Sequence, residues 1–213
     1  MKTWGGRRDR AGRKKVVGRR RVAHARRAEF RELSPLHVTV KVVKGLRSLR
    51  TRKMAAALQR AFVAGCERGD FRVVQFSVMT NHLHLIVEAE TRTALSRGMQ
   101  GLLVRMARNL NSALLRKGKV FADRFHSRVL GSTVDVKNTL LYVLNNARRH
   151  GIAFHGAIDP YSSGAWFTGW CEDFDAPRRS ERPVALARSW QLVSGWQMHG
   201  LIDPRRTPPA GLN

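Results

Sequence analysis

Two histidines, His82 and His84, stand two positions apart in a run of β-forming residues, and an extended chain turns alternate side chains to one side. Both imidazoles are then within reach of a single cation. A His-x-His pair also arises by chance, and two polar residues on a half-exposed strand fit the spacing equally well.

A second set lies about sixty residues further on. Val136, Leu140, Val143, Leu144 and Ala147 form the apolar stripe of a helix opened by Ser132 and Asp135, spaced as a capping box. Tyr142 falls off the centre of that stripe and shares a face with Asn138, Asn146 and Arg149. A phenol in that company can attack phosphorus once a base or metal assists, because its ordinary pKa of about 10 keeps it protonated. Asn146, one turn on, can lend an amide oxygen to the cation that the histidines hold. The bland alternative is a surface pair whose phenol rests on a neighbouring loop.

These groups need elements to carry them. Residues 37–43 alternate with period two and read as a strand, and residues 49–66 as a helix with Met54, Leu58, Ala61 and Phe62 inward. Residues 71–79 and 82–88 form a hairpin across Thr80 and Asn81, with Leu83, Leu85 and Val87 on one face and His82, His84, Ile86 and Glu88 on the other. A helix over 93–116, a strand over 121–130 and a helix from Ser132 to Arg149, closed by Gly151, complete the order β-α-β-β-α-β-α. That order predicts an α+β chain with a ferredoxin-like split βαβ sheet, helices on one face and the other face open. We divide it into a flexible basic arm (1–34), a central domain (35–155) and a C-terminal extension (156–213), the last irregular with a helix over 184–201.

Composition names the partner class. Forty Lys and Arg against fifteen Asp and Glu leave a formal charge of +25, more than solubility requires, which points to nucleic acid. An arginine-rich codon bias is the competing account. The arm, with Arg19, Arg20 and Arg21, can follow phosphates. Arg124, His126 and Arg128 alternate along the fourth strand, and Arg148 and Arg149 close the last helix; we assign the four arginines to DNA as well. Trp166, Phe167 and Trp170 could stack bases, although closing a hydrophobic edge is the favoured role. His37 is set aside as a structural histidine. No apolar leader or membrane anchor stands out, so a cytoplasmic, nucleoid-associated protein is expected, with Cys66 and Cys171 reduced.

Several segments taken together resemble the single-tyrosine HUH (IS200-like) transposases, and within them the REP-associated tyrosine transposases. Residues 76–87, FSVMTNHLHLIV, are similar to the family's metal-binding strand; residues 141–146, LYVLNN, to its nucleophile helix; and residues 121–126 and 37–39 to flanking strands. The likeness covers residues 35–155. It implies that Tyr142 is the nucleophile and that His82, His84 and Asn146 hold a divalent metal, Mg2+ or Mn2+. It further implies cleavage of single-stranded or hairpin DNA through a 5′-phosphotyrosine, leaving a free 3′ hydroxyl, without ATP. Thr80 and Ala147 stand where the family often has proline, and neither change removes a catalytic group. A domesticated hairpin-binding protein that no longer cleaves is the alternative, an RNA-binding protein ranks below it, and monomer and dimer are both compatible with the sequence.

Overall fold

The computed structural model describes residues 30, 32–173 and 181–209. Five strands, β1 (Ser34–Lys41), β2 (Glu67–Arg68), β3 (Phe71–Val78), β4 (His82–Ala89) and β5 (His126–Val129), form one antiparallel sheet in the order β2-β3-β4-β1-β5. The α+β class and the split arrangement, with β1 between β4 and β5, are as the sequence predicts. The two-residue β2 was not expected, and the strand foreseen over 121–130 is reduced to β5 plus a bridge between Val42 and Phe121.

The first face is a conventional core. Leu36, Val38 and Val40 of β1 and Leu83, Leu85 and Val87 of β4 are fully buried against α1 (Arg52–Val63) and α2 (Arg92–Ala113). Each such side chain contributes roughly 2 kcal/mol on burial. Thr51 and Thr91 start the two helices by accepting from the amides of Met54 and Ala94. Gly98 permits the closest approach, since a Cβ there would lie 2.1 Å from the Phe71 ring.

The second face does not stay bare as expected. Helix α3 (Thr133–Leu144), capped by Ser132 onto the Asp135 amide, crosses it and packs Val136, Leu140 and Val143 against Val74 and Ile86. Trp170, Trp196 and Ile202, from the described residues beyond 156, then close over α3, and residues 141–147 are all buried. Polar anchors fix this cover. Arg50 pairs with Asp159 at 2.8 Å, Gln75 and Ser163 meet at 2.5 Å, and the buried Glu88 accepts from the amides of Arg188 and Ser189.

The helix expected over 184–201 is broken into α5 (Trp190–Val193) and a 3-10 turn (Gly195–His199). Of Leu186, Trp190, Val193 and Trp196, which stand at helical spacing, only Trp196 is buried, so no continuous stripe pulls the segment into one helix.

Candidate active site

His82 and His84 lie on the second face of β4, opposite Lys41 and Thr39 of β1. The Asn81 amide oxygen can only accept, so its 2.8 Å contact with His82 Nδ1 puts the proton on Nδ1 and leaves Nε2 with an open lone pair. His84 Nδ1 is also held, 3.0 Å from His37 Nε2 and 3.3 Å from Thr39 Oγ1, while its Nε2 is buried with no hydrogen-bond partner. The two rings thus tie down one nitrogen each and offer the other.

Electrostatics keep these rings neutral. Burial, followed by His150 and Lys41, lowers the His82 pKa to about 4. Burial, followed by His37, His82, His150 and Lys41, lowers His84 to about 2. Burial and then Arg128, against a small opposing effect of Asp135, lower His37 to about 4.

Helix α3 ends at Leu144 because Asn145 leaves the helical conformation and donates its side-chain N–H groups to the carbonyls of Asp203 and Arg206. A further turn, α4 (Asn146–Arg149), follows, and Gly151 at φ 63° closes it as predicted. Tyr142, in the last turn of α3, lies against the histidines, and Asn146, just past the break, reaches its phenol. The Tyr142 ring meets His84 edge-on at 5.1 Å and His37 at 5.7 Å, with the Arg149 guanidinium 5.5 Å from its centre.

The polar face predicted for Tyr142 is therefore not a solvent face: the ring is 2% exposed. Burial raises the phenol's pKa, and the Arg149 charge and the Asn146 amide pull it back. That amide is near enough to favour the phenolate, yet neither its Oδ1 nor its Nδ2 completes a hydrogen bond, and both atoms are buried.

Among the described residues, no three His, Cys, Asp or Glu side chains are gathered to hold a metal. An amide must complete any such site, and the buried, unpartnered atoms of His84 and Asn146 fit that need. An unpaired buried polar atom ordinarily costs about 1–3 kcal/mol, which a ligand would relieve.

The sequence passed over two residues here. His37 was set aside, yet it is bonded to His84; its place on the same alternating face as Thr39 was the available signal, but pairing with β4 was not readable. His150, seen only as a helix end, brings its ring 6.0 Å from that of His82.

The predicted DNA-binding arginines divide. Arg124 is exposed. Arg128 is engaged with Asp135 at 2.6 Å and Thr139 at 3.3 Å. Arg148 is turned inward, donating to the carbonyls of Pro204 and Ala157 and covering the Phe154 ring, so its guanidinium is spent on structure. Arg149 donates to the Pro209 carbonyl. Arg19, Arg20 and Arg21 lie outside the described residues. Trp170 packs on Phe167 and donates to the Gly164 carbonyl, closing an edge as favoured.

The sequence pattern of the IS200-like transposases matches residues 34–146, just over half of the chain. The chain belongs to the IS200-like transposase family. The match runs from the start of β1 to Asn146, so it holds every candidate site residue on β1, β4 and α3. Among solved structures, a REP-associated tyrosine transposase bound to a REP hairpin shares the fold at TM-score 0.55 and 18% identity, over 74% of this chain and 98% of that one. A protein described as a transposase from Deinococcus radiodurans R1 aligns at TM-score 0.39 and 12% identity, over 57% and 94%. No curated protein matches this transposase sequence. No helix among the described residues is long and apolar enough to cross a membrane.

Proposed function

We propose that this transposase cleaves and rejoins single-stranded DNA at hairpin or palindromic repeats, with Tyr142 as nucleophile. The observation that carries the reading is that two side chains with buried, unpartnered polar atoms act on Tyr142: its ring meets His84 at 5.1 Å, and the Asn146 amide acts on its phenol. The REP hairpin bound by the structural neighbour supports the choice of substrate.

Tyr142 Oη loses its proton and attacks phosphorus, the bond from phosphorus to the 3′ oxygen breaks, and that oxygen takes up a proton, giving a 5′-phosphotyrosine and a 3′ hydroxyl. Attack of a 3′ hydroxyl on the linkage reverses the step and transfers the strand. Arg149 lowers the cost of the phenolate, while the buried setting fixes the ring and limits its motion. His82, His84 and Asn146 would hold Mg2+ or Mn2+, which supplies Lewis-acid polarisation of the phosphate. His37 and Asn81 hold the two imidazoles in the forms a ligand must have.

The test uses labelled hairpin oligonucleotides with Mg2+ or Mn2+ on denaturing gels. The wild type should form a covalent adduct at the 5′ end of the cleaved strand, and Tyr142→Phe should form none. Hairpin binding by the wild type without any adduct would make the chain a non-cleaving binder instead.

A further inference from the structure

At the end of the sheet where β4 begins, β1 continues past Lys41 into a groove of about 470 Å³. Lys44, Arg47, Lys53 and Arg116 line it, and no acidic side chain does. Its outer lip is Leu115, whose side chain is 92% exposed and whose backbone has φ 52°.

Leu115 is anomalous twice. It follows the C-terminus of α2, where its amide bonds the Ser112 carbonyl and that of Arg116 bonds the Asn111 carbonyl. Helices that end this way usually place glycine at the left-handed position, because a Cβ there crowds the backbone. A leucine also leaves its whole apolar surface in water. Strain of this kind persists where it serves a site. Every neighbouring charge is positive, so the occupant must be anionic along its length and apolar in part.

The groove begins two residues past the strand position that pairs with His82. Lys41 pairs with His82 on the same sheet face, and the next amide, Val42, bonds the Asn81 carbonyl at 2.9 Å. Lys44 is three residues beyond Lys41, a reach of roughly 10 Å at most. A strand leaving the histidines therefore meets a row of cations. The carbonyl end of α2 by itself repels phosphate, but weakly compared with four cations.

We infer that this groove seats the sugar-phosphate backbone of a single-stranded flank of the bound DNA, and that Leu115 is an apolar wedge against an unstacked base. Apolar wedges of this kind are used to open base steps. The inference rests on the reading of the chain as a DNA-processing protein, but not on its cleaving.

Binding of the full chain to a labelled hairpin with a single-stranded flank, followed by fluorescence anisotropy in EDTA, tests it without catalysis. Leu115→Gly should raise Tm by about 2–4 °C through relief of strain, and yet weaken binding by roughly tenfold. Leu115→Ala should weaken binding without raising Tm. Lys44→Gln with Arg47→Gln should lower the slope of log affinity against log salt by about 1.4–1.8, for two lost phosphate contacts. Arg97→Gln with Arg108→Gln, on an exposed stripe of α2 away from the groove, should leave the slope nearly unchanged. Undiminished binding by Leu115→Gly, or equal slope changes for the two arginine and lysine pairs, overturns the assignment. Loss of the Tyr142 adduct with this binding pattern intact would sink the cleavage reading and spare the groove.

Discussion

His37 Nε2 sits 3.0 Å from His84 Nδ1, with the two rings stacked at 5.2 Å between centroids, deep between β1 and β4. For His84 to offer Nε2 as a ligand, its proton must lie on Nδ1 and be donated to His37. His37 must then carry its own proton on Nδ1. Two neutral imidazoles thus share one assignment of protons, and a change at either ring changes what the other presents.

His37→Phe keeps a ring of similar size and removes the acceptor. Loss of such an outer partner costs on the order of 10–100-fold in metal affinity. Titration of the metal-free protein with Mn2+, read by electron paramagnetic resonance of the free ion, should show that loss. Unchanged affinity would mean that Thr39 alone holds the His84 ring.

Acid should destabilise the fold in a defined window. An unfolded histidine titrates near 6.5, whereas His37 and His82 stay neutral in the fold down to about 4 and His84 down to about 2. Between those limits the unfolded chain binds more protons. Stability should therefore be full above about pH 7, fall as pH drops from 6.5 towards 4, and fall further towards 2 through His84. Urea unfolding in EDTA at a series of pH values measures this, and a flat profile between pH 7 and 4 would contradict it.

Arg148 and Arg124 should separate stability from DNA contact. Arg148→Ala removes two good hydrogen bonds to carbonyls of the covering segment and should cost about 1–3 kcal/mol of stability with the salt dependence of DNA binding unchanged. Arg124→Gln, exposed on the approach to β5, should do the reverse: stability within about 0.5 kcal/mol of wild type and a salt slope reduced by about 0.7–0.9 if it touches one phosphate. Chemical denaturation and anisotropy on the same two proteins decide.

The Arg50 and Asp159 pair clamps the covering segment to β3, with side chains 7% and 1% exposed. Asp159→Asn leaves the guanidinium buried without its counter-charge, although Arg50 keeps its bond to the Val78 carbonyl. A loss of about 3–5 kcal/mol in urea unfolding is expected. A change below 1 kcal/mol would show that water reaches Arg50 on substitution.

Short-range pattern was enough for part of this protein. Alternation placed His82 and His84 on one face of β4, the capping box at Ser132 located the start of α3, and Gly151 marked the end of α4, because strand alternation, helix capping and left-handed glycine are written within a few residues of chain; the break at Asn145 between the two helices was not. Net charge pointed to nucleic acid as the partner class, since it is a property of composition alone.

What the tertiary structure decided concerns pairs far apart in sequence. Helical periodicity gave Tyr142 and Asn146 a polar face and hence solvent; only the packing of α3 on the sheet, and of Trp170, Trp196 and Ile202 on α3, shows both to be buried. The approach of Ala157 and Pro204 spends Arg148 on backbone carbonyls. His37 meets His84 only through the register of β1 against β4, which a separation of 47 positions leaves unspecified. Burial and proton sharing depend on which surfaces meet, and one sequence, read locally, does not say. Thus His82 and His84 were legible as candidates, while the orphaned nitrogen that suits His84 to the proposed ligand role was not.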